Sequence, residues 1–311
     1  RLQARPELLT ETNDDEWTLL QAAYRNNQPE AVELLLSLNS PAENLDPSGR
    51  NPVIASLDNL PMLTVLLNGG FDPEVYDPDG VPALHLAAAL GSTQVVAQLL
   101  RSGAEVDARD RLYRTALMRE VELGDVSMAE SLINYGADVN AFDQRGDTAL
   151  HIAVRRKNIE GLRLLVDQGA DGGVFNFIHL TPLHLAAQGG YTHMVGTLAE
   201  HLDSVDLVDE VGRTPLEKAL ENRQYKAAEV LLAHGADLNR IESDGSTLLH
   251  RMVNTRDYGT ARFLIRAGAQ TDIPDRDGRT VRSICEAKEL QGLVDFIESQ
   301  ADAADDPAPE N

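Results

Sequence analysis

Apolar residues recur along this chain as pairs of short clusters. The first cluster of a pair has the form of residues 183–187, and the second has the form of residues 231–233, with Gly235 shortly behind it. Small alanines beside leucine or valine at i, i+3 and i+4 spacing predict two amphipathic helices that pack closely. The glycine suits the left-handed position that ends the second helix. The pattern therefore predicts a helix–loop–helix unit.

This unit repeats at a nearly fixed interval. One residue in front of each first cluster marks the repeat, and seven of the eight intervals between these markers are 33 residues long, while the eighth is 31. The markers are Thr18, Asn51, Pro82, Thr115, Thr148, Thr181, Thr214, Thr247 and Thr280. A period of this length indicates supersecondary units stacked in a row, each packing on its neighbours.

Polar residues mark where the helices of each unit begin and where the turns lie. A marker such as Thr181 can cap the first helix, and Pro182 behind it suits the first helical turn. Between units the chain reads Asp-x-x-Gly, as at residues 77–80, 143–146 and 275–278. This sequence favours a β-turn, because aspartate bonds its own backbone and glycine tolerates a positive φ. Each unit is thus predicted to be a helix, a loop, a second helix and a projecting hairpin finger.

The repeated motifs point to a known family. Residues 181–187 read TPLHLAA, residues 84–88 and 148–153 carry versions of this motif, and residues 231–237 read LLAHGAD. In these motifs the chain resembles the ankyrin-repeat proteins, with about nine repeats over residues 17–300. The resemblance implies an all-α repeat fold, an ankyrin-repeat solenoid of stacked helix–loop–helix units with projecting β-hairpin fingers. The first and last repeats are polar and are expected to cap the stack, residues 1–16 form an N-terminal segment, and residues 301–311 are expected to be a disordered acidic tail.

The charge of the chain bears on its partners. It has 27 basic and 50 acidic residues, a net charge of −23. Such a charge repels nucleic acid and anionic membranes, and no stretch approaches the roughly 18 apolar residues of a membrane span. The charge favours a basic protein partner reached by electrostatic steering. It equally serves to keep an open stack soluble and monomeric while unbound, and both interpretations stay open.

Two features of the sequence bear on the cellular compartment. Cys285 is the single cysteine, so an internal disulfide is ruled out, which favours the cytoplasm. The chain starts at Arg1 instead of methionine. A leader removed before Arg1 is therefore the alternative, and it would place the protein in the periplasm or outside the cell.

The sequence carries no motif for catalysis or metal binding. HExxH, GxSxG, a phosphate-binding loop and CxxC are all missing from it. His85, His151, His184 and His250 occupy the same repeat position, where hydrogen bonding within and between repeats is their expected role. We expect a non-enzymatic protein that needs no cofactor and no metal.

Two turns depart from the repeat's own rule. Tyr113 replaces the glycine of residues 110–113, and His179 replaces it in a finger that also carries Phe175, Phe177 and Ile178. Exposed apolar side chains of this kind commonly mark recognition sites. The alternative is that Phe175 or Phe177 packs against a neighbouring finger.

A basic cluster adjoins these turns. Arg155 and Arg156 end the first helix of the fifth unit. They either face a partner or pair with Glu122 or Gln188 on adjacent units, and such surface pairs contribute only about 0–1 kcal/mol. The family resemblance implies binding through the fingers and a concave face lined by the first helices. On that basis the predicted partner-binding residues are Arg111, Leu112, Tyr113, Arg155, Arg156, Phe175, Phe177, Ile178 and His179.

Together these features predict a non-enzymatic solenoid that captures one specific protein partner through its concave face and fingers. Within the same class, the alternative is a dedicated inhibitor or immunity protein. Such a protein binds and neutralises a toxin or effector enzyme, and an acidic surface would steer it to a basic target.

Overall fold

The structure is a computed structural model that describes residues 6–41 and 49–305, with side chains described as far as residue 300. The chain divides into two compact units, Arg1–Ala170 and Asp171–Asn311. From here on, unit 1 and unit 2 mean these two parts of the chain and not single repeats. Each part is a stack of helix pairs.

Unit 1 opens with a 3-10 helix, Pro6–Leu9, followed by five helix pairs in its described residues. Their bounds are α1 Leu19–Arg25 and α2 Pro29–Ser37, α3 Pro52–Ala55 and α4 Leu60–Asn68, α5 Ala83–Ala89 and α6 Thr93–Arg101, α7 Ala116–Leu123 and α8 Val126–Asn134, and α9 Ala149–Arg156 and α10 Ile159–Asp167.

Unit 2 contributes four more pairs in its described residues. Their bounds are α11 Pro182–Gly189 and α12 Thr192–Glu200, α13 Pro215–Glu221 and α14 Tyr225–Ala233, α15 Leu248–Asn254 and α16 Tyr258–Arg266, and α17 Val281–Ala287 and α18 Gln291–Asp305.

Within each unit, the first helices of successive pairs pack on one another, and so do the second helices. In unit 1 the first helices α5, α7 and α9 contact in succession, as do the second helices α2, α4 and α6. In unit 2 the same holds for α11 with α13 and for α12 with α14. This layering confirms the predicted all-α repeat fold.

The marker residues start the first helices. All nine are N-cap residues, with extended backbone in front of the first helical turn. At Thr181, for example, the hydroxyl accepts the N–H of His184, and the His184 ring bonds back to the backbone N–H of Thr181. Except at Pro82, whose side chain makes no capping bond, these caps satisfy donors that a helix end leaves free. The 33-residue period of the sequence is therefore the spacing at which first helices begin.

Small residues let the two helices of a pair approach. The fifth residue after the N-cap is alanine in most pairs, and Ala87, Ala153, Ala186 and Ala219 are all completely buried. Leucine, valine, methionine and other apolar side chains around them form the rest of the core. The same position in α7 holds Glu120, which is also buried.

The fingers are closed more simply than β-hairpins. In the described residues, isolated antiparallel bridges join Tyr76 to Pro82, Phe142 to Thr148 and Ile241 to Thr247. The turn is held instead by aspartate, as where Asp77 Oδ1 accepts the N–H groups of Asp79 and Val81 at 2.9 and 2.8 Å. With the turn stabilised locally, one bridge suffices to close each of these three fingers.

The structure departs from expectation near the C-terminus. Helix α18 continues to Asp305, so residues 301–305 of the predicted acidic tail are helical, and residues 306–311 lie outside the described part. The buried residues Leu293, Val294 and Ile297 anchor this helix, and alanines with high helix propensity extend it. At the other end, Leu9 of the 3-10 helix is buried, and that helix contacts α1.

Candidate protein-binding surfaces

The last residue of the turn has a left-handed backbone in both units. In the turns that the structure describes in full, five of these residues are glycines, with φ between +73° and +82°: Gly80, Gly146, Gly212, Gly245 and Gly278. Tyr113 and His179 adopt the same conformation, with φ of 60° and 57°. A residue with a side chain is disfavoured there by roughly 1–2 kcal/mol. Tyr113 and His179 therefore adopt the same turn as the glycines, although its backbone conformation is strained for them.

Buried side chains at the start of each turn hold this conformation. In unit 1, Asp110 Oδ1 accepts the N–H groups of Leu112 and Arg114 at 2.8 and 3.0 Å. In unit 2, Asn176 Oδ1 accepts those of Ile178 and Leu180 at 3.2 and 3.0 Å. The finger does not refold around the missing glycine, so the replacing side chain is displayed at a fixed position.

Unit 1 exposes the apolar part of its turn. Tyr113 is 58% exposed and Leu112 is 40% exposed. Within the described residues the Tyr113 side chain makes no hydrogen bond or ring contact. Arg111, in contrast, lies over the preceding turn, where its Nη2 donates to the carbonyl oxygen of Pro78 at 2.8 Å. Arg111 thus fixes one turn against the next, and Tyr113 and Leu112 face solvent.

Arg155 and Arg156 form ion pairs at the end of α9. Arg155 Nε donates to Asp147 Oδ2 at 3.1 Å, and Arg156 pairs with Glu122 of α7. The expected ion pair with Glu122 is therefore present for Arg156, while Arg155 pairs with Asp147. Both arginine side chains stay substantially exposed, so the pairing does not remove them from the surface.

A second set of ion pairs links the turn to α7. Arg114 bonds Asp110 Oδ2 at 2.8 Å and Glu122 Oε2 at 3.2 Å. Burial opposes ionisation of Asp110, but hydrogen bonds from the side chain and backbone of Arg114 outweigh it and lower the pKa of that carboxyl. A charged Asp110 then holds the turn and Arg114 together.

These groups enclose an open pocket of about 360 Å³ in unit 1. It lies between the turns of residues 110–114 and 143–147 and the end of α9. Its lining residues are Leu112, Arg114, Glu122, Asp143, Gln144, Arg145, Asp147, Ile152, Arg155 and Arg156. Three predicted residues, Leu112, Arg155 and Arg156, line this "unit 1 pocket".

Unit 2 displays the larger apolar side chains. Phe177 is 69% exposed and Ile178 is 61% exposed, while Phe175 is half-buried. The Phe175 ring stacks on His179, with 4.8 Å between centroids. The stack supports the strained His179 from within the finger. Phe175 therefore packs locally, and Phe177 and Ile178 project outward.

Several exposed or pocket-lining residues were missed in the sequence. Val211, in the turn of residues 209–212, is 71% exposed, and Ile241 of a later finger is 61% exposed. In unit 1, Arg145 and Ile152 line the pocket. Val211 and Arg145 occupy the same place in their turns, just before the glycine. Scanning that one position for apolar or basic residues would have found both.

The four repeated histidines have structural roles. In unit 2, His184 Nδ1 lies 2.8 Å from Thr181 Oγ1, and its Nε2 lies 3.0 Å from the carbonyl oxygen of Arg213 in the next finger. In unit 1, His85 Nε2 bonds the carbonyl oxygen of Ala108. Burial lowers the pKa of His85 and His184, which favours the neutral ring that such bonds use. The predicted hydrogen bonding within and between repeats is confirmed.

The described residues hold no cluster of three or more His, Cys, Asp or Glu side chains able to bind a metal ion. Every helix among them is too short or too polar to cross a membrane.

Comparison with known proteins identifies the class. The family model described as "Ankyrin repeats (3 copies)" matches residues 19–110, 84–176 and 174–242. The chain belongs to the ankyrin-repeat family, and its fold is a scaffold for binding proteins. Among solved structures it is similar to the ankyrin repeat domain of Bcl-3, described as a unique member of the IkappaB protein family. The two are 30% identical with a TM-score of 0.63 over 71% of this chain and 99% of the other. No curated protein matches the chain significantly.

Proposed function

We propose that this protein captures one specific protein partner through its turns and the ends of its first helices. The contacts in unit 1 are Arg111, Leu112, Tyr113, Arg155 and Arg156, and those in unit 2 are Phe175, Phe177, Ile178 and His179. Rigid capture suits such a fold, because a preformed surface loses little conformational freedom when it binds.

The observation that carries this proposal is the conformation of Tyr113. It takes a left-handed backbone at a position that five other turns give to glycine, and its ring is 58% exposed. Strain that brings no internal contact in return is typical of functional positions. Tyrosine is also among the residues that contribute most to protein interfaces, because it adds a large rigid area with few rotatable bonds.

The charge of the chain supports a basic partner. A net charge of −23 attracts a basic protein over distance and accelerates its encounter. The same charge also favours the second candidate function, a dedicated inhibitor that binds a basic toxin or effector enzyme. On either function the unbound protein is a monomer, because its charge opposes self-association.

The test is capture of the partner from cells of the source organism by the wild type and by variants of each unit. Tyr113→Ala in unit 1 and Phe177→Ala in unit 2 are each expected to weaken binding by about 1–3 kcal/mol, measured on the captured partner, with little change in melting temperature. Leu34→Ala is the matched control, since Leu34 is 56% exposed in the second helix α2 and is not among the proposed contacts.

The outcomes separate the interpretations. One dominant basic partner that both variants lose supports a dedicated binder, and inhibition of that partner's activity would identify the inhibitor. Unchanged affinity in both variants, or lower melting temperatures without loss of affinity, would show that these fingers are structural.

A further inference from the structure

The unit 1 pocket is rich in guanidinium groups, although the chain is strongly acidic. Arg114, Arg145, Arg155 and Arg156 make up four of its ten lining residues. They come from two successive turns and from the end of α9, so the repeat stack itself brings them together.

The hydrogen-bonding capacity of these arginines is only partly used. Arg114 is largely occupied, with bonds from Nε, Nη1 and Nη2 to Asp110 and Glu122. Arg155 uses Nε and Nη2 on Asp147, and Arg156 uses Nη2 on Glu122. The side chain of Arg145 makes no hydrogen bond or ion pair within the described residues. A guanidinium has five donors, so the pocket offers more donors than its own carboxylates fill.

An equivalent pocket in unit 2 shows the contrast. It has a volume of about 260 Å³ and lies between the turns of residues 243–246 and 275–279, with Arg251, Arg276 and Arg279 in its lining. There Arg276 donates to the carbonyl oxygen of Ser243, Arg279 pairs with Asp275 and Asp277, and Arg251 pairs with three glutamates. Every arginine in that pocket has a partner, so the open guanidinium of Arg145 distinguishes the unit 1 pocket.

We propose that the unit 1 pocket binds the carboxylate of an Asp or Glu side chain on the protein partner, next to an apolar residue. The planar fork of a guanidinium matches a carboxylate with two parallel hydrogen bonds, and Arg145 is free to supply them. Leu112, 40% exposed at the same pocket, provides the apolar neighbour. This inference rests on the proposed function and names the chemistry that one of its surfaces recognises.

The overall charge of the chain does not prevent this contact. At physiological ionic strength the screening length is about 8 Å, so a carboxylate in the pocket interacts mainly with the lining, where four arginines stand against the three carboxylates of Glu122, Asp143 and Asp147. The partner is therefore expected to carry a basic surface that is steered by the whole chain and one acidic residue that enters the pocket.

The probe is the tripeptide N-acetyl-Leu-Glu-Leu-amide, titrated into the full isotope-labelled chain while the arginine Nε–H signals are followed by NMR. We expect saturable shifts of the Arg145 and Arg156 signals, at least tenfold weaker binding of the matching Gln peptide, and loss of the shifts in Arg145→Gln. Arg276→Gln, in the unit 2 pocket, is the matched control and should leave them unchanged.

Several results would overturn the proposal. Equal binding of the Glu and Gln peptides would show an apolar groove only, and equal competition by inorganic phosphate would show a general anion site. If Tyr113→Ala abolishes partner capture but the peptide does not bind, this inference fails alone. If the peptide binds and every finger variant still captures the partner, the proposed contacts in the fingers are wrong, while the carboxylate site in the pocket is supported.

Discussion

Two buried glutamates, Glu120 in unit 1 and Glu217 in unit 2, show how differently one repeat can accommodate a charge. Both lie on first helices, in α7 and α13, and each is no more than 3% exposed. Glu217 is the third residue after the N-cap, where four other pairs carry histidine. Glu120 is the fifth, where most other pairs carry alanine.

Glu217 is surrounded by arginines. Arg240 Nη2 bonds its Oε1 at 2.8 Å, while Arg213 and Arg251 approach its Oε2. Arg213 and Arg251 also pair with Glu221 and Glu242, so three arginines and three glutamates form one network. Burial opposes the charge of Arg213, but the surrounding carboxylates outweigh it and raise the pKa of that group.

Glu120 has no such network. Its Oε1 is buried without a hydrogen-bond partner among the described residues. Burial, helped by the nearby carboxylate of Asp125 and opposed by Arg119, raises the pKa of Glu120 to about 7. A buried carboxylate in this fold is stabilised where neighbouring repeats place arginines beside it, as at Glu217. A buried carboxyl without such partners, as at Glu120, tends to keep its proton.

The largest effect is expected from Glu217→Ala. Removing the carboxylate leaves Arg240 and Arg251 partly buried with fewer partners, and breaking a buried ion pair typically costs about 3–5 kcal/mol. The free energy of unfolding, measured by urea denaturation, should fall by that amount, and Glu217→Gln should lose less because it retains one acceptor. An unchanged midpoint would mean that Glu221 and Glu242 satisfy the arginines alone.

Glu120→Ala is expected to act in the opposite direction. It restores the alanine found at this position in Ala87 and Ala153 and removes an unpaired buried carboxyl, which costs about 1–3 kcal/mol. Urea denaturation at pH 8 should show a gain of that size. A loss of stability would show that the Glu120 side chain fills space that α7 and α8 do not close.

The contrast between these residues was only partly visible in the sequence. The 33-residue period identified all nine N-caps, because capping and helix packing are local and repeat with the motif. Comparing repeats also shows a glutamate at an alanine position in α7. It does not show that Glu217 meets Arg240 and Arg251, since that network joins residues 23 and 34 positions apart through the stacking of repeats.

The candidate binding residues, too, were only partly predictable from the sequence. Tyr113 and His179 were recognised in the sequence because they break the turn rule, and the left-handed backbone at both explains the rule. The partners of Arg155 and the open guanidinium of Arg145 depend on side-chain positions across neighbouring turns. Such positions have no signature in a single sequence, so they emerged only with the structure.

The raised pKa of Glu120 predicts a dependence of stability on pH. Folding raises the pKa of Glu120 from 4.5 to about 7, so between these values the folded chain binds more protons than the unfolded chain. The contribution of Glu120 to the free energy of unfolding is therefore most favourable at pH 4.5 and below, and it is lost as the pH rises toward 7. The difference in unfolding free energy between wild type and Glu120→Gln, followed from pH 5 to pH 8, should change in that window and become flat above it. His85 and His184 titrate in both proteins and cancel in the difference, and a flat difference throughout would mean that Glu120 is ionised at pH 5.

The smallest effect belongs to a third glutamate, which is the exposed counterpart of the first two. Glu160 of α10 pairs with Arg163 at 3.3 Å, with side chains 65% and 52% exposed. Water solvates both charges whether or not they pair, so Glu160→Ala should change the free energy of unfolding by less than about 0.5 kcal/mol. Urea denaturation in low and high salt should give nearly the same value, because so little interaction is present to be screened. A loss as large as that of Glu217→Ala would mean that burial does not rank these three glutamates, and the explanation of the first two would then have to change.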